Sequence, residues 1–282
     1  MIINDDAKVA IPFAGALEVW ALGISIVIGG QYFSWNFGLV AGFGSYLIAT
    51  ILISVAYICL CFCTSELTSA LPFAGGAYGL ARCTLGYYPG FVVGCCETIE
   101  YIAYVAVSVY SLGGMIVSMN PDAAPYQPLI WFVFYATALS VQIAGGKVFW
   151  NANVVLAIIS FLLLLVFCLG SLKFVDFNAN AIPDGVWFVG GMSGFMSILR
   201  LPTWFFVGVE SLNMACTTVR EPRKNIPRGQ ISCVLTLAVT AILVLFITCS
   251  LPPGISALSA DPIPFNLGTS EMCVCLIPFS LL

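Results

Sequence analysis

Histidine is absent from this 282-residue chain, and charge is scarce: Asp, Glu, Lys and Arg together make up 8% of it. Without imidazole the chain lacks the usual proton shuttle, and its cysteines have no histidine partner for a zinc spacing. A soluble domain carries about 25% charged residues, so a soluble fold is excluded. The net charge of −4 is too small to imply a nucleic-acid partner. No Asn-x-Ser/Thr acceptor site occurs. No nucleophile–base pair or metal cluster stands out, so neither an enzyme nor a cofactor is called for.

What the chain has in abundance is apolar length. It is 61% hydrophobic with a mean hydropathy of +1.05. Barrel strands would alternate over about ten residues, whereas these runs are continuous over about twenty, the length that crosses a bilayer as helix. Of the twelve cysteines, Cys59, Cys61, Cys63, Cys95, Cys96, Cys168, Cys233 and Cys249 sit inside such runs and read as small helix-facing residues. The first run is too long for a secretory leader and lacks a small-residue cleavage site.

Seven spans are expected, near 14–37, 40–65, 88–118, 127–145, 150–171, 191–217 and 230–250, with an eighth beginning near Met272. Lys and Arg orient them. With the N-terminus in the cytoplasm, Lys8, Arg82, Lys147, Arg220, Arg223, Lys224 and Arg228 all lie inside. Lys173 lies outside, and Arg200 falls near the outer end of span six. The basic run after span six therefore serves as a cytoplasmic anchor, and the protein is expected to be a multi-pass one of the plasma membrane.

Two spans are interrupted. Span one carries Gly29, Gly30 and Gln31 near its middle; adjacent glycines weaken a helix. Irregular backbone at membrane depth is tolerated where it is buried in protein or lines a cavity. Span six carries Pro202, then Gly208 near mid-depth and Glu210 two residues later. A carboxylate there is a functional candidate by default. One broken span in each half of a membrane protein points to a binding site at the midplane, although glycines also allow close helix packing. Span three adds Glu97 and Glu100, which share a helix face. That face must look into the bundle, and a solvated inner vestibule would also accommodate it.

On these residues the chain resembles the amino acid–polyamine–organocation superfamily of transporters, from Ala14 to about Leu267. "ELTSALPFAGGAYGLARCTLG" (66–86) is similar to that family's loop between spans two and three, and "VREPRKNIPRG" (219–229) to its signature after span six. "FFVGVES" (205–211) resembles the broken span six of the arginine/agmatine antiporter branch. "IGGQYFSWNFG" together with "ETIEY" resembles the ethanolamine permease branch.

The resemblance implies an all-α, five-plus-five inverted-repeat bundle of the leucine-transporter type, as one transmembrane domain over 1–282. Residues 1–171 would form the first repeat and 186–282 part of the second. Members of the family have about twelve spans, so the resemblance marks this chain as C-terminally truncated within span eight. It implies alternating access, with Gly29, Gly30, Gln31, Trp204 and Gly208 binding substrate. Trp204 would stack on a cationic or aliphatic part of the substrate. Glu210 would serve proton-dependent gating, with Glu97 and Glu100 beside it. Gln31 stands where amino acid carriers often have Gly-Ser-Gly.

The function expected is secondary transport of amino acids or small organic amines, ethanolamine-like compounds foremost. The substrate is the partner, within the bilayer, and coupling to proton, sodium or exchange is left open. A seven-span receptor or a non-transporting fragment is the alternative.

Overall fold

In a computed structural model of the protein, residues 14–72, 75–261 and 264 are described. The reading of the N-terminus through Lys8, and the start of an eighth span near Met272, lie outside them. Among the described residues ten α-helices occur: α1 (Ala16–Val27), α2 (Phe43–Ala70), α3 (Gly76–Thr84), α4 (Tyr87–Met119), α5 (Gln127–Ala144), α6 (Gly146–Ser171), the short α7 (Phe177–Asn180), α8 (Gly191–Ile198), α9 (Pro222–Cys249) and the short α10 (Ile255–Leu258). Six segments are long and apolar enough to cross a membrane, or seven when the bent segment Ala16–Gln31 plus Trp35–Ala41 is counted as one span. All seven expected spans are present, and no strand occurs among the described residues.

The centre of the bundle is α9, packed along α1 and α2, with α6 against α1 on the other flank. Leu237, Ala241, Val244 and Leu245 of α9 are buried, as are Val19, Ile24 and Val27 of α1. Polar side chains join these helices in pairs. Trp20 Nε1 donates to Thr236 Oγ1 at 3.2 Å, and Ser25 Oγ donates to Asn153 Oδ1 at 2.7 Å. Ser65 Oγ donates to Gln230 Oε1 at 3.2 Å. Such bonds hold helices together where apolar burial gives no preference for helix over lipid. At one end of the bundle the Arg220 N–H donates to the Ala14 carbonyl at 2.8 Å, tying the start of span one to the end of span six.

One boundary differs from the sequence reading. The basic segment after span six is not a loop leading to a span at 230: Pro222 opens α9, and Arg223, Lys224 and Arg228 occupy its first turns. Proline at the first helical position has no N–H to leave unsatisfied, and Arg and Lys are good helix formers, so the helix simply begins earlier than its apolar stretch.

Candidate functional site at two broken spans

Span one leaves the α-helix at Val27, tightens into a 3₁₀ turn over Ile28–Gln31, and resumes as a second 3₁₀ segment over Trp35–Ala41. The bend is 44°, and Ser34 sits at φ +69. Span six runs as α8, a 3₁₀ segment over Leu201–Phe205, and another over Val209–Thr217. Its break falls at Gly208, whose φ of +98 is open to glycine and strained for any side chain.

The two breaks touch. A Cβ on Gly30 would run into the Trp204 carbonyl, so the backbones meet only because Gly30 has no side chain. Gly208 repeats the arrangement from the other span: its Cβ would lie 2.7 Å from Ile26 Cγ2. Gly29 faces a more open space toward the Phe33 ring and the Tyr104 hydroxyl. Trp204 stacks on Tyr104 with centroids 6.2 Å apart and meets Phe33 edge-on at 6.3 Å. Tyr104 Oη in turn donates to the Ile26 carbonyl at 3.0 Å, just ahead of the break in span one. Gly29, Gly30, Trp204 and Gly208 thus converge, and span three supplies the wall opposite them.

Gln31 goes elsewhere. It is fully buried, and its Nε2 donates to Thr240 Oγ1 at 2.9 Å and to the Leu237 carbonyl at 3.2 Å. The side chain thereby ties the break to α9, while the Gln31 backbone carbonyl accepts from Trp35 Nε1 at 2.9 Å.

Glu210 folds back on the break in span six. Both its carboxylate oxygens accept from the Gly208 N–H, each at 3.1 Å, so the acid satisfies a donor that the interrupted helix leaves free. Tyr57, Tyr101 and Tyr104 stand within electrostatic reach of it, and so do Glu97 and Glu100.

Glu97 and Glu100 separate. Glu97 is buried beneath α3, where its Oε2 accepts from the Tyr78 N–H at 3.0 Å. Glu100 is on the exposed side of α4. Among the described residues, no Lys or Arg forms an ion pair with Glu97, Glu100 or Glu210. No group of three or more metal-ligating side chains occurs there either.

The tyrosines were missed by the sequence reading, which singled out only the acids of span three. The signal was present: 97, 100, 101 and 104 in "ETIEYIAY" fall at helical i, i+3, i+4 and i+7 spacing, the pattern of one face.

The model of the "Amino acid permease" family matches residues 15–268 of this sequence. The chain belongs to that family. Its long apolar helices are accordingly those of a multi-pass integral membrane protein. Among relatives, it is 27% identical to an uncharacterized transporter of Rhizobium meliloti over 254 residues, 85% of this chain and 53% of that protein. It is 27% identical to the methylthioribose transporter of Bacillus subtilis over 277 residues, 89% of this chain and 58% of the relative. With the amino-acid permease RocC of Bacillus subtilis the identity is 24% over 242 residues, 82% of this chain and 51% of that one. The permease chain described here therefore spans about half the length of these relatives.

Proposed function

We propose that this permease serves secondary active transport of amino acids or small organic amines, ethanolamine-like compounds among them, by alternating access. The observation that carries the reading is the meeting of the two broken spans, with Gly30 against the Trp204 carbonyl. A broken helix presents unpaired N–H and C=O groups, and at membrane depth these are tolerated where protein or a cavity receives them. Two such breaks in contact make a compact polar spot within an apolar bundle. Trp204, Tyr104 and Phe33 beside it offer rings for a cationic or aliphatic group. Gly29, Gly30, Gln31, Trp204 and Gly208 are the substrate contacts in this reading, Gln31 through its backbone while its side chain holds the break in place from α9.

An amine is favoured by the acids. Glu97, Glu100 and Glu210 have no basic partner among the described residues, and a substrate ammonium or a proton would supply the missing charge. In the five-plus-five arrangement expected from the family resemblance, spans one to five form one repeat and span six opens the next. Glu210 then sits where a proton held in one conformation and released in the other would gate transport, with Glu97 and Glu100 as its acidic neighbours.

The test is uptake of labelled ethanolamine and of amino acids into liposomes carrying the protein, alongside binding to the purified protein. Trp204→Ala should weaken binding at every pH, since stacking on a cation contributes about 1–2 kcal/mol. Glu210→Gln should retain binding yet flatten the pH dependence of uptake between about pH 5 and 8. Binding without accumulation would favour a receptor or a non-transporting fragment.

A further inference from the structure

A cavity opens between α3, α4 and the end of span six. It has a volume of about 660 Å³, within the range of small-ligand pockets, and Tyr78, Phe91, Cys95, Glu97, Tyr101 and Met214 are on its wall. Two polar atoms on that wall are buried without a hydrogen-bond partner: Glu97 Oε1 and the Tyr101 hydroxyl. Glu97 is only 9% exposed. Its other oxygen is engaged by the Tyr78 N–H at 3.0 Å, which fixes the carboxyl in place.

Burying a carboxylate oxygen without a partner is costly. The nearby candidate cation is already committed: Arg82 Nη1 donates to the Tyr78 hydroxyl at 2.7 Å, and its guanidinium lies over the Tyr87 ring at 5.3 Å. The free Glu97 oxygen calls for a donor, best a positively charged one, and the Tyr101 hydroxyl can accept a second hydrogen bond. A primary ammonium meets both, with three donors, and the Tyr78 and Phe91 rings offer apolar faces to its alkyl part.

We propose that this cavity is a second binding site, for a small primary alkylammonium ion, anchored on Glu97 and Tyr101 on the α3 side of span three, with Tyr101 standing between it and Glu210 at the broken spans. Its position beside α3 and the end of span six puts it toward the end of the bundle that carries the basic segment, where an amine would sit on entering or leaving the bundle. The inference rests on the amine reading above only for the choice of ligand.

Cys95 is exposed and lines the cavity, so it reports occupancy directly. The purified chain in lipid nanodiscs would be treated with a maleimide, with and without ethanolamine. Labelling at Cys95 would be followed by peptide mass spectrometry, with exposed Cys83, which lies outside the membrane-length helices, as reference. Ethanolamine should slow labelling of Cys95 alone, and ethylene glycol, of similar size and without the ammonium, should not.

Glu97→Gln should raise the ethanolamine concentration needed for protection about tenfold or more, as expected for loss of a hydrogen bond to a charged group. If Glu97→Gln also alters the Cys83 rate, α3 has shifted, and Tyr101→Phe carries the test by weakening protection with α3 in place. Trp204→Ala should leave Cys95 protection intact while weakening binding at the broken spans, which separates the two sites. No protection of Cys95 by ethanolamine, equal protection by ethylene glycol, or protection unchanged in both Glu97→Gln and Tyr101→Phe would overturn the proposal.

Discussion

The helices α9 and α5 are both membrane-length, yet their surroundings are opposite. Just over half of the most apolar window of α9 is buried inside the bundle, and none of the corresponding window of the span containing α5. The difference lies in where their polar side chains go. On α9, Gln230 Nε2 reaches the Val209 carbonyl at 3.3 Å and Thr240 receives Gln31. On α5, Thr137 and Ser140 bond back to carbonyls of their own helix, and the buried Trp131 Nε1 finds no partner on another span. Apolar length identifies a helix that can span a membrane, and polar groups with partners on other spans identify a helix at the centre.

The all-or-none way to break the comparison concerns orientation. Because α5 and its preceding turn separate Asp122 from Lys147, single cysteines placed at those positions should label from opposite sides of the membrane. Labelling from the same side would remove α5 as a span. The largest graded effect is expected at Gly30, where a methyl meets the Trp204 carbonyl. Gly30→Ala should lower stability by about 1–3 kcal/mol, read as an earlier thermal transition in detergent. Ala138→Leu on the exposed face of α5 should stay within about 0.5 kcal/mol. Equal losses would mean that the outer helix is as tightly packed as the inner break.

Gln31→Ala comes next. It leaves the buried break without its tie to Thr240 and Leu237, at about 1–3 kcal/mol, whereas exposed Gln142→Ala on α5 should cost no more than about 0.5 kcal/mol.

The smallest effect belongs to the exposed pair at the start of α9. The Lys224 ammonium, 2.8 Å from Glu221, bonds that carboxyl and holds it below the usual carboxylate range, with Arg228 adding to the same end. A carboxyl depressed in the folded state contributes stability above its unfolded pKa and loses it as pH falls through the folded value. Any deficit of Glu221→Gln in melting temperature should therefore be seen at neutral pH and close below about pH 4. A deficit that grows in acid would reverse the assigned sign.

The span pattern was legible because a long uncharged run has few alternatives at membrane length. Both interruptions could be read as well: two adjacent glycines, and a glycine two residues ahead of a carboxylate, are poor helix and imply irregular backbone. The start of α9 was not legible from hydropathy, because its first turns are basic and helical at once.

The sequence by itself determined that this is an all-helical membrane chain with interruptions in spans one and six, through composition and the local cost of glycine in a helix. Only the tertiary structure decided that Gly30 lies on the Trp204 carbonyl, that the Gln31 side chain turns into α9, and that Glu97 parts from Glu100 to accept from the Tyr78 N–H. Those pairings join residues far apart in the chain, and helical periodicity gives a face without naming what that face meets.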